Sequence, residues 1–146
     1  MYTGLLHAHN GFRWLVLLLL VLTLVLAFSG WAQKREWKKF DQISNLLLMI
    51  FMDIQFLIGL ILYVFLSPMT QAAFNDFGAA MANDILRFYA VEHILMMVIA
   101  LVLVHIGRRR TKRDVAPWKK HRSVAIFYTI AVLVILAAIP WDRPMF

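Results

Sequence analysis

Four long apolar runs divide the chain: Trp14 to Ala32, Ile43 to Ser67, Phe88 to Gly107 and Ser123 to Trp141. A helix needs roughly 20 residues to cross the hydrocarbon core of a membrane, and each run meets that length. The first and fourth carry no formal charge, the second only Asp53 and the third only Glu92. The connections between runs are short, so consecutive helices are expected to be antiparallel neighbours. The pattern predicts an all-α integral membrane antiparallel four-helix bundle, one domain over 1–146 with helices near 9–32, 43–67, 84–107 and 121–141.

Charge orients this bundle. The segment Gln33 to Gln42 holds Lys34, Arg35, Lys38 and Lys39, Arg108 to Arg122 holds eight Lys or Arg, and Pro68 to Asp84 holds none. By the positive-inside rule the first and third connections are cytoplasmic, and the middle connection and both termini lie outside. Trp14 and Trp141 then fall at the outer interface and Trp31, Trp37 and Trp118 at the inner one, where amphipathic rings are enriched. A cleavable signal peptide competes for the first run, but its apolar stretch is long and a basic segment follows it directly, which favours a retained span. The expected location is the bacterial inner membrane.

Composition agrees: 62% of the 146 residues are apolar, too many for a soluble domain to cover, so the lipid bilayer is the first partner. The net charge of +7 lies almost wholly in the two basic connections, which argues against nucleic acid and for orientation and lipid head groups. With no cysteine, any cofactor must be held by His, Met, Tyr or carboxylate.

Ionisable groups inside a membrane cost roughly 2.5–3.5 kcal/mol each on insertion, so each calls for an explanation. Asp53 lies about ten residues into the second helix and His93 at comparable depth in the third, an arrangement in which the two could face one another. Gln55 with Gly59 at i+4 reads as helix glue, an amide bonding across a close contact. Along the third helix Ala90, His93, Met97, Ala100, Val104 and Gly107 form one stripe, which suits either a neighbouring helix or the face of a porphyrin. His9 and Arg13 share a face one turn apart, whereas His7 points elsewhere. His9 could take an iron and Arg13 a propionate, or both could sit at the water interface, His9 several residues shallower than His93. His105 and His121 flank the third connection and read as interfacial. His105 is rotated by roughly 120° from His93, at about 100° per residue, so one helix does not present both inward.

The stretches LLHAHNGFRW, DIQFLIGLILYV followed by Ser67-Pro68, RFYAVEHILMM, HIGRRRTKR and IPW together resemble a group of short bacterial membrane proteins labelled cytochrome b-like. The resemblance spans nearly the whole chain and implies a four-helix membrane fold with a b-type haem in electron transfer. Relatives carry His at the position of Asp53, where it would pair with His93; this chain departs from that pattern.

Three functions follow as expectations. The first is a haem b protein passing single electrons between a quinol and a partner redox protein, with His93 and His9 as axial ligands and Arg13 beside them. The second is a metal-binding or proton-relay protein in which His93, Asp53 and Glu92 hold a divalent transition metal ion or hand protons along. The third is a non-catalytic membrane subunit whose polar groups only hold helices together. Assembly into an oligomer is left open by all three, and no nucleophile–base constellation or phosphate-binding glycine loop is present.

Overall fold

The computed structural model describes residues 1–141, and among these every regular element is helical. Helix α1 runs Tyr2–Ala32; α2, Lys39–Ile61, continues through a π-helical turn at Leu62–Leu66. Three short helices follow, α3 (Pro68–Asn75), α4 (Phe77–Ala82) and α5 (Asp84–Arg87), and a second π turn, Phe88–Glu92, leads into α6 (His93–Thr111). Helix α7 is Pro117–Ala138. Four continuous helical spans, Tyr2–Ala32, Lys39–Leu66, Asp84–Thr111 and Pro117–Ala138, are long and apolar enough to cross a membrane, as a multi-pass membrane protein requires.

Local chemistry sets the ends. After α1, Lys34 adopts a left-handed conformation (φ 50°), and the Arg35 N–H returns to the Gly30 carbonyl at 2.9 Å, closing a Schellman-type stop with Lys where Gly is usual. Asp41, in the first turn of α2, reaches back to the Lys38 N–H at 2.9 Å and takes the Arg35 guanidinium on both oxygens at 2.7 and 2.8 Å. That bond holds the Arg35 pKa above its ordinary value. Ser67, Asp76 and Asn83 cap α3, α4 and α5 with side-chain oxygens, and Pro68 and Pro117 stand at first helical positions, where a missing N–H costs nothing.

Helix α1 packs on α2 and α7, and α6 packs on α7 and α2. Leu20, Leu48, Val104, Val124, Tyr128 and Ala131 form the centre of this packing and are shut from the surroundings. Glycine permits the close approaches: a Cβ at Gly107 would lie 2.8 Å from the Tyr128 ring and one at Gly59 2.9 Å from the His9 ring. Outward faces are apolar, with Leu18, Val25, Leu57, Phe65 and Leu133 all exposed, which suits lipid and not water.

The helices outrun their apolar cores. The first starts at Tyr2 rather than near residue 9, the third continues to Thr111, and the fourth starts at Pro117 rather than 121. Backbone bonding carries a helix into polar sequence as long as no Pro or cap stops it, so hydropathy alone underestimates length. The stripe along the third span is real: Ala90, Ala100, Val104 and Gly107 are buried and His93 and Met97 half-buried. Asp142 to Phe146, with the expected outer C-terminus, lie outside the described residues.

Candidate functional site

At the end of the helices remote from the two basic connections, a cavity of about 380 Å³ opens between α1, α2, α6 and α7. Its walls are mainly apolar, among them Leu17, Phe56, Met97 and Ile135, and its polar lining includes His9, Arg13, Gln55, Tyr63 and His93. Mostly apolar walls with a few converging polar groups, at a few hundred Å³, are typical of small-ligand and cofactor sites.

Each polar group is positioned by a nameable contact. Gln55 Nε2 donates to the His9 carbonyl at 2.9 Å, tying α2 to α1, and Gly59 one turn further leaves room for the His9 ring. Arg13 lies one turn along α1 from His9 and has its guanidinium 5.3 Å from the Trp14 ring. Across the cavity, His93 Nδ1 is 2.8 Å from the Ala138 carbonyl. That carbonyl belongs to the last turn of α7, where the helix supplies no partner. A proton on Nδ1 satisfies it and leaves the Nε2 lone pair of His93 for a ligand.

The two imidazoles meet: the ring centroids of His9 and His93 are 6.4 Å apart with planes at 70°. The expectation that His9 is several residues shallower is therefore corrected. Because α1 starts at Tyr2, His9 is seven residues inside its helix, close to the nine that separate His93 from the start of its span at Asp84. His7 also reaches the rim of the cavity, although its own side is exposed.

The two π turns frame this end. The Tyr63 hydroxyl, in the first, donates to the Ala90 carbonyl, in the second, at 2.7 Å, and Thr70 Oγ1 donates to the Tyr63 carbonyl at 2.7 Å. Single π turns recur at functional sites, and here two of them stand at the cavity end of their spans. Tyr63 is not among the residues expected from the sequence, although Gln55, Gly59 and Tyr63 repeat every four residues on one face of the span.

The carboxylates go elsewhere. Asp53 does not face His93; its Oδ1 is 3.4 Å from His105 Nε2, both side chains being partly exposed. Glu92 accepts from Arg87 Nε at 2.8 Å, and Arg87 also holds Asp84. Of His93, Asp53 and Glu92 only His93 lines the cavity, and among the described residues no group of three His, Cys, Asp or Glu is assembled as a metal site.

His121, expected at the membrane surface, is fully buried at the basic end. Trp37, from the connection after α1, covers it at 4.8 Å, and Gly30 lies so close that any Cβ there would overlap its ring. A connecting segment folded back over the helix ends causes this, which no helical periodicity reveals.

Neither a protein-family model nor a curated protein nor a solved structure matches this chain.

Proposed function

We propose that the protein is a b-type haem carrier for single-electron transfer in the bacterial inner membrane, an antiparallel four-helix bundle with both termini outside the cytoplasm. The observation that carries this reading is the approach of His9 and His93 across the cavity, centroids 6.4 Å apart. Two imidazoles that hold one metal ion between them, each at about 2 Å, keep their ring centroids roughly 6 Å apart. The residues present thus fit the group. His9 and His93 would hold its iron and Arg13 would pair with a propionate.

Bound there, haem would supply a one-electron couple whose potential depends on its ligands and on burial. The Ala138 carbonyl fixes the His93 tautomer, the Gln55 amide holds the α1 backbone that carries His9, and the apolar walls exclude water. The cavity lies near the outer ends of the helices, within reach of a quinol or a redox protein on that side. Asp53, which stands where the cytochrome b-like group carries His, takes no part in this site.

Absorption spectra of the full chain, produced with haem supplied and purified in detergent, test the reading. A Soret band is expected, abolished by His9→Ala and by His93→Ala and retained in Asp53→Asn. A colourless wild type under these conditions, or a band untouched by both histidine replacements, would overturn it.

A further inference from the structure

The basic end holds a second concavity, unconnected with the histidine pair. It measures about 140 Å³, several times what one water needs, and lies between the end of α6 and the start of α7. Arg110, Arg113, Lys119 and Arg122 line it, and none of the four has a carboxylate within ion-pair distance among the described residues. Three are held on aromatic faces: Arg110 is 5.5 Å from the Phe127 ring, and Lys119 and Arg122 are 5.6 and 5.3 Å from that of Trp118. Ser123, also in the wall, is 9% exposed, and its hydroxyl is buried without a hydrogen-bond partner. A buried hydroxyl left unpaired is costly, so this one lacks an acceptor that a ligand would bring.

We infer that this pocket seats the phosphodiester head group of an anionic phospholipid. Phosphate oxygens satisfy the cations and accept the Ser123 hydroxyl together, which water alone does not do for the charge. The pocket also continues into an acyl path. Its apolar wall includes Ile126, which begins an exposed row with Ile130 and Leu133 along one side of α7. A free phosphate would have no use for that row, and a choline head group would bring a cation into a cationic pocket. Basic pockets between membrane helices at the head-group level are apt lipid sites on these grounds.

The test is native mass spectrometry of the full chain released from vesicles of equal parts phosphatidylglycerol and phosphatidylcholine. One retained phosphatidylglycerol is expected in clear preference. Arg110→Gln and Arg122→Gln should each lower its retention about fivefold, the loss expected for one basic contact at an anionic surface. Ser123→Ala should lower it severalfold without changing any charge, while Lys112→Gln, outside the pocket, should not. Equal retention of the two lipids would overturn the inference. So would a Lys112→Gln loss as large as that of Arg122→Gln, which would mark a diffuse field, or displacement of the lipid by millimolar inorganic phosphate, which would mark a free-anion site.

Discussion

At the end remote from the basic connections His9 and His93 look at each other across open volume; at the basic end His121 looks at Trp37 on one side and at a glycine backbone on the other. His121 is fully buried and His9 and His93 half-buried, and all three have small residues nearby. Space decides between them. Gly59 stands behind the His9 ring and leaves its front to the cavity, whereas Gly30 lets α1 close onto His121 until nothing else fits. A glycine beside an imidazole therefore leaves room for a ligand only where the far face of the ring is unfilled; otherwise it marks a helix crossing.

The sharpest way to break this contrast is to fill the space behind His9. Gly59→Leu should push the ring out of place and eliminate the Soret absorbance while circular dichroism keeps its helical signal; an unchanged spectrum would mean that His9 is not held where it needs to be for haem. Next in size, His121→Ala should keep its full haem content yet lose about 2–4 kcal/mol of stability, as large-to-small changes at closely packed positions do. Unfolding in a graded denaturing detergent measures it, and haem loss without destabilisation would reverse the roles of the two ends. The smallest effect belongs to Gln55→Ala, which removes one interhelical hydrogen bond worth about 0.6 kcal/mol. A small stability loss with a slightly shifted spectrum is expected, and loss of all haem would mean that Gln55 does more than hold α1.

The helical spans were legible because length and apolarity alone define them. So was the stripe from Ala90 to Gly107, whose spacing survives in the packed helix. The pairing of His9 with His93 was harder, since YTGLLHAHNGF carries two glycines and polar residues that look like a run-in to the membrane, yet all of it is helix. The partners of Asp53 and Glu92 were not legible. Which residue lies opposite depends on the relative rotation and height of two helices, which no apolar pattern reports. His121 was misjudged for a different reason, the fold-back of Trp37, a tertiary contact from a segment with no periodicity of its own.

The π turns at Leu62–Leu66 and Phe88–Glu92 also bear on how this chain can change its length. Such a turn is a helix that has absorbed one extra residue without breaking, and α-helical residues are spaced at about 100°. Deleting one residue from Phe88–Glu92 would restore ordinary winding and swing α3, α4 and α5 by that angle relative to His93, separating Tyr63 from Ala90. Substitutions there alter a side chain, but insertions and deletions re-index the whole cavity end against the core. In a drifting lineage the count of residues in these two turns would be held more strictly than their identity.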